Sequence, residues 1–433
     1  MSGNVIRQLI EGTLPDPDGG SALAVPVRSV VIADTLDGDE QDVVASLDLG
    51  PRFALVSDPT THRVLGARVA RALTGIAALD RVVLPENPHA DAKTALRIRK
   101  ASASADALVA VGSGTINDLC KYAAALDGKP YVVFGTAPSM NGYTSVNAAI
   151  TVDGHKKSLP ARAPEGVFLD LRVLASAPPR MIRAGLGDSL CRPTAQVDWL
   201  LASLLLGEAY REAPFALLAD DEEALFAAGA ALLAGDRDAM QRLARTLVLS
   251  GFGMTICGGS MPASQGEHLI GHYAEMRADP VWPHSFHGEQ IGVATVTMAR
   301  LQEALLDAET PELVGGDPDE GAVLAHFGPE IGPACWREFE PKRLAGNRLG
   351  EANDRLREGW GALRARIERC RRFAADLERA LIQAGAPSHP EDLGWTQSFY
   401  RGAVRHAREI RNRYTFLDLA AQTARLERFV ATL

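Results

Sequence analysis

The amino-acid sequence predicts an α/β N-terminal domain followed by an all-α C-terminal domain. Short β-branched and apolar runs alternate with helical stretches through the first half of the chain, which is typical of a doubly wound parallel sheet. After the pair Pro178-Pro179, long segments rich in Ala, Leu and Arg replace the short strands. A chain of 433 residues is also long enough for two domains. We therefore predict one domain over residues 1–177 and a second over residues 178–433.

Five strands and three helices account for most of the predicted first domain. Residues 107–112 are wholly apolar, as expected of a strand buried on both faces of a parallel sheet. The predicted strands are residues 28–33, 51–58, 80–85, 107–112 and 129–135, and the predicted helices are residues 62–73, 90–102 and 119–126. Residues 1–27 are predicted to be a loosely held lead-in, and helical periodicity extends over residues 353–383 of the second domain.

Composition and charge exclude several classes of protein. The formal net charge of −9 is unlike that of a general nucleic-acid binder, which carries a basic domain or stripe. The N-terminal residues lack a basic-then-apolar signal pattern, and the longest apolar run, residues 199–206, is too short to insert in a membrane. The cysteines are dispersed and odd in number, which favours reduced thiols in a cytoplasmic protein.

Two polar loops follow neighbouring predicted strands. Strand 107–112 leads into the sequence GSGTIND (Gly112 to Asp118), where glycines allow backbone N–H groups to approach a phosphate at the start of a helix. The spacing is neither GxGxxG nor that of a P-loop, and a plain strand-to-helix turn is the alternative. Residues 135–145 form a second polar loop at the same carboxyl edge of the sheet, where α/β sheets bind ligands.

One aspartate and two histidines suggest a metal site. His268 and His272 are four residues apart, so on a helix both imidazoles project from one face. Such a pair alone is also common on a solvated helix face. With Asp188, in the segment GLGDS, two imidazoles would form an N/O ligand set that suits Zn²⁺, Fe²⁺ or Ni²⁺ and leaves positions open for substrate.

Five ordered motifs resemble one family. GSGTIND, TAPSMNGYTS, GLGDSL, EHLIGH and HGEQIGVAT stand in the order and at the spacing of the sn-glycerol-1-phosphate dehydrogenases. That family is a branch of the metal-dependent alcohol dehydrogenases and is related in fold to glycerol dehydrogenase and dehydroquinate synthase. The segment IRNRYTFLD, residues 410–418, also resembles the family's ending. The resemblance implies a dinucleotide-binding N-terminal domain, a helical C-terminal domain and a metal in the cleft between them.

The resemblance also implies roles for particular residues. The implied metal ligands are Asp188, His268 and His287. The implied substrate contacts are Asn141, Asp188 and His272, with His272 and Asp188 as catalytic groups. The implied cofactor contacts are Gly112, Gly114, Thr115, Ile116, Asn117, Asp118, Thr136, Ser139 and Ser145. The cofactor would be NAD(H) or NADP(H), and the metal would be one divalent ion, with zinc preferred over nickel or iron.

Three further residues bear on specificity. Asn141 stands where the family usually has Asp; its amide can hydrogen-bond a substrate hydroxyl but adds no negative charge. Lys157, after the turn at Asp153-Gly154, would place an ammonium against an anionic substrate, unless the lysine pair is only a solvated turn. Asp58 ends the second strand, where an acidic residue can bind ribose hydroxyls and favour NAD over NADP.

The predicted function is that of an NAD(P)- and metal-dependent oxidoreductase. It would interconvert dihydroxyacetone phosphate, or a close phosphorylated relative, with its alcohol, as in phospholipid metabolism. Two alternatives stay open: a dehydroquinate-synthase-like cycle in which NAD is used only transiently, and a catalytically lapsed relative that binds nucleotide. We further expect a cytoplasmic homo-oligomer with a small phosphorylated substrate and neither nucleic-acid binding nor membrane insertion.

Overall fold

The computed structural model of the chain describes residues 3–279, 281–307 and 309–433. The strands are β1 (Ser29–Ala33), β2 (Arg52–Ser57), β3 (Ala78–Val83), β4 (Ala107–Gly112), β5 (Tyr131–Gly135), β6 (Asn147–Val152), β7 (His155–Pro160) and β8 (Gly166–Asp170).

The helices before residue 260 are α1 (Gly3–Glu11), α2 (Glu40–Ala45), α3 (Pro59–Thr61), α4 (Ala67–Leu73), α5 (Ala92–Ala101), α6 (Gly114–Asp127), α7 (Leu171–Ala175), α8 (Pro179–Ser189), α9 (Arg192–Leu206), α10 (Ala213–Ala216), α11 (Ala219–Phe226), α12 (Gly229–Leu233) and α13 (Arg237–Ile256). Those after it are α14 (Gly266–Arg277), α15 (His287–Leu306), α16 (Glu320–Phe339), α17 (Asn347–Ile367), α18 (Ala374–Gln383), α19 (Gln397–His406), α20 (Phe416–Gln422) and α21 (Leu426–Val430). Single π or 3₁₀ turns lie at His62–Gly66, Met261–Ala263, Glu340–Lys342, Pro390–Leu393 and Ala407–Glu409.

The chain divides into two compact units. Unit 1 comprises Met1–Val152, Lys156–Ser189 and Glu212–Ser260, and unit 2 comprises Asp153–His155, Leu190–Arg211 and Met261–Leu433. This division differs from the boundary predicted at residue 178, because α13 packs against α7, α8 and β1 and therefore groups with the sheet. The division into folding domains at that residue stays a prediction.

Unit 1 is built on a six-stranded parallel sheet with the order β1-β8-β5-β4-β2-β3. Both β4 and β5 are buried along their whole length, which explains their apolar sequences. Chain order reverses between β2 and β4, so the loops after these two strands open at the topological switch point of the sheet. In doubly wound sheets, that crevice is the usual place for a ligand. The predicted α/β class is confirmed.

Four details of the predicted secondary structure were wrong. The N-terminal segment, which was predicted to be loosely held, contains α1, whose Leu9 is buried. Strand β8, which lies between β1 and β5, was not predicted, and neither were the paired strands β6 and β7. Helix α6 begins at Gly114 rather than at residue 119, because the glycine loop is itself the first helical turn. The periodic stretch 353–383 is two helices, α17 and α18, separated by residues 368–373.

Unit 2 is helical, as predicted for the C-terminal part of the chain. Its core joins apolar side chains of α9, α14, α15, α17, α19 and α20, among them Trp360, Tyr400 and Phe416. Helix α14 packs against α9, α15, α19 and the turn Ala407–Glu409. Within the described residues, none of the helices is both long and apolar enough to cross a membrane.

Candidate functional site

The glycine loop and the second polar loop of unit 1 leave the sheet side by side. Gly112 and Gly135 are paired in the register of β4 and β5, and the Thr136 amide donates to the Gly112 carbonyl at 3.2 Å. A Cβ at Gly112 would lie 2.5 Å from the Ile116 Cβ, so a side chain there would prevent the strand from turning directly into α6. The amino end of α6 therefore opens at the carboxyl edge of the sheet, where a phosphate can accept backbone N–H bonds.

Side-chain hydrogen bonds join these two loops. The Ser139 hydroxyl donates to the Ser113 hydroxyl at 3.1 Å. Asn117 is fully buried and donates to the Gly142 carbonyl at 3.4 Å. These contacts connect the two predicted cofactor segments, because residues 112–118 and residues 136–145 are hydrogen-bonded to each other.

A buried lysine that the sequence analysis missed adds further hydrogen bonds between these two loops. The Lys121 ammonium donates to the Gly142 carbonyl at 2.5 Å, the Ser145 hydroxyl at 2.9 Å and the Asn147 carbonyl at 3.1 Å. It also lies 3.7 Å from Asp118. Burial lowers the pKa of Lys121 to about 8, against the opposing pull of the Asp118 carboxylate. Its position seven residues after Gly114 in α6 was visible in the sequence, but its partners were not.

Asp58 caps a helix at the switch point. Its carboxylate accepts from the Thr61 amide at 2.8 Å, while the Thr61 hydroxyl accepts from the Asp58 amide at 3.0 Å. This reciprocal pair is a capping box that starts α3 directly after β2. The predicted contact of Asp58 with ribose stays a prediction.

Helix α8 brings Asp188 against the second polar loop. A Cβ on Gly185 would lie only 1.6 Å from the Pro138 carbonyl oxygen, so glycine alone permits this approach of helix to loop. One turn later, the buried Asp188 accepts a hydrogen bond at Oδ2 from the backbone N–H of Asn141 at 2.8 Å. The structure therefore places two of the predicted substrate residues, Asn141 and Asp188, in direct contact.

Helix α13 holds the same loop on another side. The Thr144 hydroxyl donates to the Val248 carbonyl at 2.7 Å, and the Thr255 hydroxyl donates to the Thr144 carbonyl at 2.9 Å. Gly251 lies between these contacts, where a Cβ would be 2.1 Å from the Thr144 hydroxyl oxygen. The loop that carries Asn141 is therefore fixed by α8 and α13 together.

In unit 2, three imidazoles form a triangle. The ring centroids of His268 and His272, both on α14, are 5.9 Å apart. His287, the first residue of α15, lies 5.2 Å from His268 and 5.5 Å from His272. His268 and His272 are buried, whereas the His287 side chain is 32% exposed. Burial lowers the pKa of His272 well below its ordinary value, as does the charge of Arg411, which keeps this imidazole neutral.

Two glutamates that the sequence analysis missed orient these imidazoles. Glu267 accepts from His268 Nδ1 at 2.9 Å, and Glu275 accepts from His272 Nδ1 at 3.0 Å and His287 Nδ1 at 3.2 Å. A neutral imidazole that donates from Nδ1 keeps its lone pair on Nε2, the nitrogen available to a metal or a proton. Spacing on α14 was the available signal, since Glu275 follows His272 by one helical turn.

A buried carboxylate fixes the start of the histidine helix. Asp198 on α9 accepts from the Gly266 amide at 3.0 Å, the Phe416 amide at 2.9 Å and the Gln302 side chain at 3.2 Å. Burial and the nearby Glu267 charge raise the pKa of Asp198 to about 8, although its hydrogen bonds from Phe416, Gly266 and Gln302 oppose the shift. Helix α14 also lies close to α15, because a Cβ on Gly271 would be 2.8 Å from the Ile291 Cδ1.

The described residues fit a metal and a dinucleotide by their chemistry. Imidazole and carboxylate ligands suit Zn²⁺, Fe²⁺ or Ni²⁺, and metal-binding histidines usually donate their other N–H to a carboxylate, as His268 and His287 do. The helix amino end at Gly114 suits a pyrophosphate. Lys157 lies in β7 and is partly buried. The complete ligand set, with Asp188, and the role of Lys157 stay predictions.

Comparison with known proteins identifies relatives over most of the chain. The model of the iron-containing alcohol dehydrogenase family matches residues 31–178. An NAD(P)⁺-dependent glycerol-1-phosphate dehydrogenase of Halalkalibacterium halodurans is 34% identical over 84% of each chain. One of the same name from Bacillus velezensis is 30% identical over 86% of each chain. A solved structure, a probable glycerol dehydrogenase from Sinorhizobium meliloti, is similar in fold, with a TM-score of 0.60 at 19% identity over 94% of this chain and 98% of its own.

Proposed function

Because this chain belongs to the glycerol-1-phosphate dehydrogenase family of NAD(P)- and metal-dependent alcohol dehydrogenases, we propose that it reduces dihydroxyacetone phosphate to glycerol 1-phosphate, or a close phosphorylated ketone to the corresponding alcohol. The resemblance predicted from five sequence motifs is confirmed. One observation supports the proposed chemistry: three imidazoles, two on α14 and one at the start of α15, each donate from Nδ1 to a carboxylate. That arrangement presents Nε2 atoms to a metal or a substrate.

Asp188, His268 and His287 would hold the ion in this proposal. Two neutral imidazoles and one carboxylate would leave a divalent cation with a net positive charge, which suits a Lewis acid, and we propose zinc, with nickel or iron as alternatives. The ion would supply Lewis-acid stabilisation of negative charge on the carbonyl oxygen, and the nucleotide would supply the hydride.

The chain's own residues would bind the ketone and move the proton. In the direction of alcohol oxidation, Nε2 of His272, which carries the lone pair, would accept the proton of the substrate hydroxyl, with Glu275 holding the opposite side of the ring. In the reduction the same proton would return from Nε2 to the substrate oxygen. Asn141 and Lys157 would contact the substrate hydroxyl and phosphate groups. Because the backbone N–H of Asn141 is hydrogen-bonded to Asp188, the position of the substrate would depend on α8 as well as on the loop.

The nucleotide would bind at the amino end of α6. Its pyrophosphate would accept backbone N–H bonds from residues 112–118, a proposal supported by the close strand-to-helix turn at Gly112. Asp58 would meet the adenosine ribose, and Thr136 and Ser139 would border the nicotinamide side. We propose NAD(H) rather than NADP(H), since a carboxylate at the ribose disfavours a 2′-phosphate.

An assay of nucleotide oxidation tests the proposed function. We expect steady oxidation of NADH or NADPH with dihydroxyacetone phosphate, and loss of that activity after dialysis against a chelator, with recovery on adding zinc. Protein that contains metal and binds NADH without net oxidation would instead favour the dehydroquinate-synthase-like cycle. Purified protein that takes up no metal would favour the second alternative, a relative that binds nucleotide but has lost catalytic activity.

Asn141→Asp tests how the second polar loop sets substrate choice. We expect the substitution to raise kcat/KM for dihydroxyacetone phosphate. We expect it to lower kcat/KM for a ketone phosphate with an extra acceptor group, to which the side-chain NH₂ of Asn141 can donate a hydrogen bond. A charged hydrogen bond contributes about 1–3 kcal/mol, so each change should be roughly 5- to 150-fold. Parent and variant are to be compared on a panel of phosphorylated ketones. Unchanged kinetics throughout would mean that residue 141 does not contact substrate.

Two further proposals rest on the family alone. We propose that the enzyme is a homo-oligomer and that it acts in the cytoplasm. Sedimentation analysis of the purified protein addresses the first proposal, which a stable monomer at micromolar concentration would contradict.

A further inference from the structure

The segment between the turn Ala407–Glu409 and α20 is fixed beside the histidine helix in unit 2. The turn packs against α14, and Ile410, which follows it, is buried. The Arg413 guanidinium donates to the carbonyl of Ser264, two residues before α14 begins. The Phe416 amide donates to Asp198 at 2.9 Å. Residues 410–416 are therefore held at both ends against the elements that position His268 and His272.

Arg411 lies in this fixed segment and has no ionic partner among the residues that the structure describes. Its side chain is partly buried. Across residues 3–279, 281–307 and 309–433, no carboxylate oxygen lies within 4.0 Å of its guanidinium and no acceptor forms a hydrogen bond with it.

Other cations in unit 2 are treated differently. Arg408 lies 2.7 Å from Asp317 and 3.3 Å from Asp418, and Lys342 lies 2.9 Å from Asp418. Unit 2 thus neutralises these buried cations directly, whereas Arg411 has only more distant charges around it.

Those distant charges belong to the histidine cluster and its surroundings. Burial lowers the pKa of Arg411, and the carboxylates of Glu275 and Glu338 oppose that effect. The charge of Arg411 in turn acts on His272. The guanidinium is therefore within electrostatic range of the imidazole that we assign to proton transfer, and of the glutamate that orients it.

A partly desolvated cation without a close partner is costly to fold, so it is expected where it serves a ligand. A guanidinium presents a planar fork of N–H donors that matches phosphate oxygens in a bidentate fashion. We propose that Arg411 binds the phosphate group of the ketone substrate. This inference rests on the proposed function, and it names the group that would distinguish a phosphorylated ketone from a free one.

The alternatives make different predictions. If Arg411 only offsets Glu275 and Glu338, its loss would disturb catalysis equally with or without a substrate phosphate. If Lys157 of β7 is the main phosphate ligand, its replacement rather than that of Arg411 would remove the preference for phosphorylated substrate. Arg413 is committed to the Ser264 carbonyl and is not the better candidate.

The test compares dihydroxyacetone phosphate with unphosphorylated dihydroxyacetone as substrates. Arg411→Met should lower the ratio of kcat/KM for dihydroxyacetone phosphate to kcat/KM for dihydroxyacetone by about 100-fold, mainly through KM. This is the loss expected when the arginine of a buried arginine–phosphate pair is removed. Arg411→Lys should retain part of the ratio, because it keeps a cation but loses the fork. Arg428→Met, which removes an exposed arginine of α21, is the matched control and should match the parent.

Binding of inorganic phosphate by calorimetry gives a readout that does not depend on turnover. We expect the parent and Arg428→Met to bind phosphate alike, and Arg411→Met to bind it at least about tenfold more weakly at equal metal content. Equal losses on both substrates with unchanged phosphate affinity would overturn the proposal. So would a loss of preference in Lys157→Met but not in Arg411→Met. A parent inactive on dihydroxyacetone phosphate would refute the proposed function, while the phosphate titration would still decide whether Arg411 binds the anion.

Discussion

His268→Ala is expected to yield folded protein with less than about a tenth of the parent's metal and with turnover lower by roughly 10²- to 10³-fold. Loss of a partner that only orients a ligand already costs about 10- to 100-fold in metal affinity, and loss of the ligand itself should cost more. Lewis-acid stabilisation contributes several kcal/mol to the barrier, which sets the scale of the kinetic effect. Elemental analysis and chelator competition on the purified variant measure the first quantity.

A matched histidine outside the cluster provides the control. His389 also pairs with a carboxylate, Glu378 at 3.1 Å, but it is half exposed and lies in another part of unit 2. His389→Ala should therefore keep the parent's metal content and turnover. After metal is removed with a chelator, the parent and His268→Ala should have thermal unfolding midpoints within a few degrees of each other. This comparison separates loss of a metal ligand from misfolding. Full metal occupancy with parental affinity in His268→Ala would remove His268 from the ligand set.

Gly185→Ala is expected to destabilise unit 1 by ~3 kcal/mol or more. The added methyl carbon would stand 1.6 Å from the Pro138 carbonyl oxygen, so α8 or the loop must move. Overpacking of a side chain costs about 1–3 kcal/mol, and here the obstacle is backbone that cannot rotate away. The same movement would separate Asp188 from the Asn141 amide. The free energy of unfolding, measured with denaturant, and the metal content should therefore both fall below the parent values.

Gly361→Ala is the control for this experiment. Gly361 lies in α17, and a Cβ there would meet nothing within 4 Å. Alanine is favoured over glycine inside a helix by about 0.5–1 kcal/mol, so this variant should be slightly more stable than the parent. A Gly185→Ala variant as stable as Gly361→Ala would show that α8 does not need its close approach to the loop.

The parts of the fold that the sequence predicted are those with strong local patterns. Strand β4 and the loop after it were visible because five apolar residues run directly into glycines. Strand β8 was missed because its pairing with β1 and β5 is set by tertiary structure. The interruption after Ile367 was missed because residues 368–373 contain neither Gly nor Pro and continue the charged pattern of the helix.

Within the candidate site, ligand types were predictable and their supports were not. Histidine is a common metal ligand and proton carrier, so the sequence motifs identified His268, His272 and His287. Glu275 serves two imidazoles on different helices, and that relation exists only after α14 and α15 have packed. Lys121 was likewise hidden, because lysine is ordinarily exposed and only its three oxygen partners explain its burial.

The Asp198 carboxylate has a consequence for how the protein is made. It joins Gly266, 68 residues away in sequence, to Phe416, which is 218 residues away. During synthesis at the ribosome, the histidine helix would leave the exit tunnel long before Phe416 can complete this junction. Because contacts of such large sequence separation form late, we expect nascent chains that end before residue 416 to bind a divalent metal weakly. Metal loading would then follow translation of the segment that also carries Arg411.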